Sequence, residues 1–389
     1  MTVAFLPFNI ARHKQLKVVI AGGGYAGLAA LTNLLQFAPD TGITIIDPRS
    51  HHIKITHLHE TFRYPLSDLL VPFETIENRY GCRHIQASLP IDPEALQSYQ
   101  DTKQLVINGE IVDFDYLVIA AGCESNAADS GQDSNILTLD DFMRASGADL
   151  LSTRLNGYDQ TAPSVTVVGG GATGVQFLFE IRQYLLRVNS KAKLTLIHSG
   201  QHVLEQFPRG FGAYVESRMD DMGIAFYPNT YFCEQQANQI LLTDKETKTQ
   251  IVLSSDLAIL FLGKKQRNTL SANAFGQILV DQKLLHNIFI AGDCSHFQSP
   301  GSNTLTAQSA VRKGKLVARN ILRHAGFPGL LEPYLHHEIG YVVSLGAADA
   351  VGWLVAEGNI ITGIPALTIK ELVEAQYDLL LAGVDTYVV

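Results

Sequence analysis

The sequence predicts an α/β chain of two Rossmann-like domains, the first discontinuous with the second inserted into it, and a small α+β segment at the C-terminal end. Two observations carry this. A short β-branched strand, a glycine turn and an apolar-periodic helix occur together at Leu16–Leu28 and again at Val165–Val175. Each unit is followed by a further strand, Ile43–Ile46 and Leu194–Ile197, which completes a βαβ crossover. The chain has 389 residues, enough for two or three cores. Residues 1–125 and 282–325 are assigned to the first domain, 126–281 to the second and 326–389 to the C-terminal segment. The polar stretch Ser125–Ser134 reads as a crossing between domains.

The elements follow in order. The first helix runs from about Ala26 to Phe37, where Pro39 stops it. Gln104–Asn108 and Glu110–Phe114 form a hairpin around Asn108-Gly109, followed by a buried strand, Tyr116–Ala121. The second glycine-turn helix spans about Thr173 to Arg187. A strand with a glycine end, Ile288–Asp293, precedes a loop with Pro300 and Gly301 and then a helix from about Thr304 to Arg323. Tyr341–Leu345, Val351–Val355 and Ile360–Ile361 read as strands, and a last helix covers about Ile369 to Leu381. Its apolar positions Ile369, Leu372, Val373, Leu379 and Leu380 suggest a core-facing stripe or a dimer contact. A lipid-binding face would call for a basic polar side, and here Lys370 is the only basic residue between Ile364 and Leu381, beside Glu371 and Glu374.

Composition excludes several classes. Apolar residues make up 46% and charged ones 17%, so a large core can form. A net charge of −9 argues against a nucleic-acid surface. No apolar run approaches about 18 residues, so no membrane-crossing helix is expected. Pro7, Asn9, Arg12, His13 and Lys14 interrupt what would be a signal-peptide core. A cytoplasmic protein is expected, with peripheral contact at the inner face of a membrane left open. Cys82, Cys123, Cys233 and Cys294 form neither a CxxC pair nor a zinc pattern. That weighs against a dithiol–disulfide reductase, which needs two neighbouring cysteines.

The glycine spacing has a physical reading. In Gly22-x-Gly24-x-x-Gly27 the first glycine permits the tight turn and the second lets backbone approach a pyrophosphate. The third lets helix and strand pack closely, with phosphates at the positive helix N-terminus. Asp47 ends the next strand, where its carboxylate can accept hydrogen bonds from a ribose diol. Gly169-x-Gly171-x-x-Gly174 repeats the device, but its following strand ends in His198 and then Ser199. A carboxylate would repel a 2′-phosphate and these residues would not, so NADPH and NADH are both admitted.

Several motifs together resemble a known group. The two fingerprints, the Ala120-Ala121-Gly122 strand end and the segment Phe289–Ser295 are similar to the flavoproteins with two dinucleotide-binding domains, over roughly residues 16–325. Within them the sequence most resembles the type II NADH dehydrogenases, the single-chain NAD(P)H:quinone oxidoreductases. Gly169–Gln176 resembles the family's GGGPTGVE, Ala307–Ala310 the start of its AQxAxQQG helix, and Gly340–Gly346 its C-terminal strand leading to a glycine. The resemblance implies FAD on Gly22, Gly24, Gly27, Asp47 and the Gly122 turn, with Gly292 and Asp293 at the ribityl hydroxyls. It implies NAD(P)H on Gly169, Gly171, Gly174 and His198. Gln176 would orient the nicotinamide or the acceptor. The helix of Gln308 would point its N-terminus at the flavin N1/C2=O edge, stabilising negative charge by roughly 0.3–2 kcal/mol. The implied reaction passes hydride from NAD(P)H to flavin N5 and electrons to a quinone-type acceptor.

The chain departs from the family at instructive places. Members often carry Glu where this chain has Gln176, and an amide cannot take up a proton in that range. The two glutamines that end AQxAxQQG are replaced by Arg312 and Lys313, read here as either acceptor-site residues or a solvated helix face. His51, His52, His57, His59 and Glu60 cluster after Asp47, with cofactor lining favoured over metal ligation and no metal expected. His336, His337 and Glu338 read as surface. Two alternatives stand beside the leading reading. One is a sulfide:quinone-type oxidoreductase using Cys123 or Cys294, which flank the flavin motifs; the other is a redox-sensing flavoprotein with slow turnover.

Overall fold

The computed structural model describes residues 15–123, 135–156, 162–263, 269–299, 303–336 and 338–387. The proposed crossing at Ser125–Ser134 lies outside them, as does His337. Val18, Val19, Ile20 and Ala21 are all buried, the signature of a strand covered on both faces. It sits inside an eight-stranded sheet with the order Ser295–Phe297, Leu270–Ala272, Gln277–Val280, Lys283–Ile290, Tyr116–Ile119, Lys17–Ala21, Gly42–Asp47, Arg83–Gln86. The last five pair in parallel. A second, five-stranded sheet is parallel throughout, in the order Ala225–Tyr227, Lys193–Ile197, Ser164–Val168, Leu257–Leu260, Ile136–Thr138. The α/β class and the two doubly wound sheets therefore agree with the sequence reading. The strands Leu270–Ala272 and Gln277–Val280 belong to the first sheet, so we propose that the second domain ends before Leu270 rather than at 281.

The glycine-turn helices cover Tyr25–Phe37 and Ala172–Arg187, within a residue of expectation. The Tyr25 helix is buried from Ala26 to Leu34, sandwiched between its sheet and the helix Ala307–His324. Small residues permit that crossing: a Cβ on Gly314 would lie 2.1 Å from the Ala26 carbonyl oxygen. At the hairpin, Asn108 and Gly109 both have positive φ, the geometry that a two-residue turn between twisted strands requires.

The C-terminal segment is a three-stranded antiparallel meander, Gly340–Ser344, Ala350–Leu354 and Ala356–Thr362, backed by the helix Ile364–Leu381. That helix starts five residues earlier than the sequence suggested, because Pro365 sits in its first turn, where a missing N–H does no harm. The expected apolar stripe is corrected. Leu380 is buried, but Leu372, Val373 and Leu379 are exposed and Ile369 is half-buried. The buried side is instead made by Ala366, Lys370, Tyr377, Leu380 and Leu381.

Lys370 is the unexpected member. Its Nζ lies 3.0 Å from Glu60 and 2.7 Å from Glu374. Glu60 also faces His57 at 3.3 Å and Arg63 at 3.6 Å, and Arg63 pairs with the fully buried Glu180 at 2.9 Å. Burial alone lowers the pKa of Lys370, but the two carboxylates outweigh it and hold it above the ordinary lysine value. The cluster thus joins three parts of the chain: the turn Ile55–Phe62 with Arg63, the Ala172 helix and the C-terminal helix. Replacing Lys370 by Met would leave Glu374 without its ammonium and Glu60 with His57 and Arg63, a loss of roughly 3–5 kcal/mol for a broken buried pair. A clear drop in the thermal midpoint is expected for Lys370→Met, partly recovered on adding Glu374→Gln. Equal melting of Lys370→Met and wild type would show that the cluster holds nothing together.

Candidate functional site

The first glycine turn is fixed by backbone crowding. Gly22 has φ +112°, and a Cβ there would lie 2.2 Å from the Ala120 carbonyl oxygen. A Cβ on Gly27 would lie 1.9 Å from the Gly22 carbonyl oxygen, so helix and turn can close only on glycine. Around a Cβ on Gly24, by contrast, no atom comes within 4 Å. Gly24 is the N-cap of the Tyr25 helix and no side chain caps it, so the helix amides open onto that space. The second turn repeats all three conditions. Gly169 has φ +116° and meets the Phe261 carbonyl oxygen at 2.3 Å, Gly174 meets that of Gly169 at 1.9 Å, and nothing lies near Gly171. Gly171 caps the Ala172 helix, again without a side-chain partner.

The acid expected at the end of the next strand is also in place. Asp47 is buried, and its carboxylate accepts from the Gly23 amide at 2.8 Å. It also accepts from the Arg49 amide at 2.9 Å and the Arg49 guanidinium at 3.0 Å. Burial pushes its pKa up, but hydrogen bonds and charge from Arg49 outweigh this and leave it below the usual aspartate value. His198 occupies the matching place in the second unit and does the matching job: its Nδ1 accepts from the Gly170 amide at 3.1 Å. Accepting there puts the ring proton on Nε2, and burial lowers its pKa, favouring the neutral form.

The first turn opens where the sheet's strand order reverses, between Lys17–Ala21 and Tyr116–Ile119, the place where doubly wound sheets bind ligands. Gly122, with φ +73°, has nothing within 4 Å of an added Cβ. Gly292, with φ +80°, leads to the half-buried Asp293, whose Oδ2 lies 3.8 Å from the Cys123 sulfur. Gln308 is half-buried in the first turn of the Ala307 helix, and the Thr306 hydroxyl caps that helix through the Ser309 amide at 3.1 Å. Cys294 is buried, its sulfur turned to the Ile119 and Ala291 carbonyls, and burial raises its thiol pKa to about 11. It is a packing residue with little thiolate character.

Gln176 lies in the second turn of the Ala172 helix and meets Ser344 of the C-terminal meander, which in turn meets His59. Its amide Nε2 donates to Ser344 Oγ at 3.2 Å, and Ser344 Oγ lies 2.9 Å from His59 Nε2. Burial pushes the His59 pKa down to about 3, so the ring is neutral. His52, also buried, bridges the Gly23 carbonyl at Nδ1 and the Tyr377 hydroxyl at Nε2, both at 3.0 Å. A carbonyl can only accept, so Nδ1 carries the proton and Nε2 receives the tyrosine O–H. Tyr25 completes this aromatic group, its ring 4.3 Å from that of Tyr377.

Within the histidine-rich segment, then, His52 and His59 face inward. His57, Glu60 and Glu374 bring ligand atoms within 4.8 Å of one another, but the Lys370 ammonium already lies between the two carboxylates. One surface assignment is corrected, and of the two readings of Arg312 and Lys313 the solvated face does not hold for Lys313. The His336 side chain is largely buried, held by Thr304, Tyr334 and Glu338. Lys313 is 0% exposed, whereas Arg312 beside it is half-buried. Sequence reasoning missed Ser344, Tyr377 and Lys370. Of these, only Lys370 gave a signal, a lone cation on an apolar helix.

The matches to known proteins agree with this geometry. Residues 16–314 match the model of the pyridine nucleotide-disulphide oxidoreductase family. A type II NADH:quinone oxidoreductase of Staphylococcus aureus is 27% identical, over 95% of this chain and 96% of that protein. In three dimensions the chain is similar to the NDH2 of Plasmodium falciparum, solved in complex with NADH, with a TM-score of 0.77 at 16% identity, covering 93% and 94% of the two chains. It is also similar to the sulfide:quinone oxidoreductase of Aquifex aeolicus, with a TM-score of 0.74 at 17% identity over 95% and 92%. With three-quarters of its length under the family model and both glycine turns built as a dinucleotide requires, the chain belongs to the pyridine nucleotide-disulphide oxidoreductase family.

Proposed function

We propose that the protein is a flavin-dependent NAD(P)H dehydrogenase that passes electrons to a quinone-type acceptor. One observation carries the reading. Two glycine turns in separate sheets, each on parallel strands, share the same stereochemistry, crowded at the first and third glycines and open at the second. Two dinucleotides thus have cradles in one chain. The type II NADH:quinone oxidoreductase relatives, aligned over nearly the whole length, support the choice of reaction.

The residues present fit FAD in the first turn. Open helix amides at Gly24 suit the pyrophosphate, and Asp47 suits the ribose diol once hydroxyls replace the Arg49 guanidinium on its oxygens. Asp293, between the Gly292 turn and the first sheet's last strand, would accept from the ribityl hydroxyls. A bound flavin would supply the step no side chain can, taking a hydride from reduced nicotinamide and giving two electrons onward. The Ala307 helix packs on the Tyr25 helix through Gly314 and Ala26, and its N-terminal amides would favour negative charge on a flavin bound beside them. Gln176, with its Nε2 engaged by Ser344, has Oε1 left to accept a hydrogen bond from nicotinamide or acceptor. Gln308 is the second amide proposed to face the acceptor.

At the second turn His198 supplies no negative charge, and the Lys245 ammonium lies 3.2 Å from the neighbouring Ser199 carbonyl oxygen. Both features suit a 2′-phosphate as well as a free 2′-hydroxyl. A sulfide-type reaction has less support, because the thiol of Cys294 is buried and held protonated. We further propose that the acceptor and any membrane or homodimer contact lie on the side of the C-terminal segment.

Anaerobic addition of NADH or NADPH is expected to bleach the flavin absorbance of the purified protein. A colourless protein that takes up no FAD, or a flavin that neither nucleotide bleaches, would refute the assignment. Gly171→Val adds bulk only to open space, so the variant should keep its flavin while binding nicotinamide nucleotides at least about tenfold more weakly, or 1.4 kcal/mol. Unaltered nucleotide titration would move the second site elsewhere. His198→Asp should lower kcat/KM for NADPH relative to NADH by about tenfold, since a carboxylate repels the 2′-phosphate; an unchanged ratio would remove His198 from the specificity site.

A further inference from the structure

Lys313 lies in the second turn of the Ala307 helix, where Cβ atoms point back toward the helix N-terminus. Its side chain is fully buried. The Nζ donates to Ser295 Oγ at 3.0 Å and lies 5.3 Å from the Phe297 ring centre and 5.6 Å from that of Tyr334. No carboxylate comes within 4.0 Å of it among the described residues, unlike Lys370, which has two. Burial lowers its pKa, opposed by the attraction of Asp293, and the value of about 8 leaves it charged at neutral pH.

A buried ammonium facing two aromatic rings and one hydroxyl is unusual, because burial without a carboxylate in contact is destabilising. The cation–π contacts offset part of that. The location suggests what else does. Ser295 is two residues past Asp293, and its own Oγ donates to the Gly292 carbonyl at 2.5 Å. Lys313 therefore sits directly behind the loop that the flavin reading assigns to the ribityl chain. It places a full positive charge there, beside the Gly292–Asp293 turn. In a site of low dielectric such a charge acts over several ångströms.

We propose that Lys313 is a positioned counter-charge that raises the reduction potential of the flavin bound in the first domain. Uptake of a hydride adds two electrons and one proton to the ring system, so the ring gains one negative charge. A fixed cation behind the pocket stabilises that product more than the oxidised form. The lysine neither gives nor takes a proton in the step. This inference rests on the flavin reading above and deepens it.

The test compares FAD-loaded wild type with K313Q, K313M and K313R. Each is reduced slowly under anaerobic conditions against a reference dye of known potential at neutral pH. Gln keeps a hydrogen bond for Ser295 and removes only the charge; Arg keeps the charge. In K313Q and K313M the equilibrium should move at least tenfold toward oxidised flavin, about 30 mV for a two-electron couple, while K313R stays with wild type. An unchanged potential in K313Q or K313M overturns the proposal. So does failure of both to fold or to hold FAD, which would make Lys313 a structural residue. Absence of FAD from the wild type would instead refute the flavin reading itself, so the two failures are told apart.

Discussion

The structure depends on a contact in which three backbone segments come closer than any side chain allows. The Gly22 Cα faces the carbonyl of Ala120, and the Gly27 Cα faces the carbonyl of Gly22. This locks the Tyr25 helix against the two strands between which the sheet reverses direction. Because the helix cannot slide, its uncapped amides must open at one place, over Gly24. The same argument applies to Gly169, Gly174 and Gly171 in the second sheet. Steric closure at two glycines is thus what creates an electropositive opening at the third. The close crossing of Gly314 with Ala26 extends the effect, because it fixes the Ala307 helix, and with it Gln308 and Lys313, relative to that opening.

Charge is distributed unevenly around this frame. On the side of the C-terminal segment, cations and carboxylates are matched, Lys370 with Glu60 and Glu374, and Arg63 with Glu180. Matching serves cohesion, since the pairs tie one segment to another: the carboxylates hold Lys370 and Arg63 in their charged forms, while burial still raises the pKa of Glu374 and Glu180. Behind the first glycine pocket the pattern is different. Lys313 has aromatic faces and a hydroxyl, with Asp293 acting on it only at longer range. An unmatched charge projects its field outward instead of spending it on a neighbour.

Legibility in the sequence follows the range of the interactions. Gly22, Gly24, Gly27 and Asp47 are readable because strand, turn, helix and strand are consecutive and their spacing is local, although the carbonyl that crowds Gly22 comes from distant Ala120. His198 was legible as a position but not as a role: its bond to the Gly170 amide, the counterpart of Asp47 with Gly23, emerges only when the second strand is laid beside the first. The burial of Lys313 and Lys370 is not legible in the sequence, because charged side chains are seldom buried and what buries these comes from distant segments. The stripe on the last helix failed for a related reason. Its apolar periodicity is weak, and the ion cluster on Lys370, not hydrophobic pattern, decides which side faces inward.

The exchange of the family's usual glutamate for Gln176 becomes intelligible through its partners. Ser344 Oγ receives the Gln176 N–H, so its own proton is free to go to His59 Nε2, the other atom within hydrogen-bond distance. That direction requires an imidazole with an unprotonated Nε2, and burial keeps His59 neutral. A carboxylate at 176 could only accept, so it would draw the serine proton to itself. His59 would then have to carry its own proton on Nε2 to keep the contact with Ser344. With Nε2 unprotonated, amide, hydroxyl and neutral imidazole form a chain with one polarity, running from the second domain through the C-terminal meander to the first. Residue 176 is accordingly a hydrogen-bonding group in this chain and not a proton store, and its orientation is set jointly by all three parts of the protein.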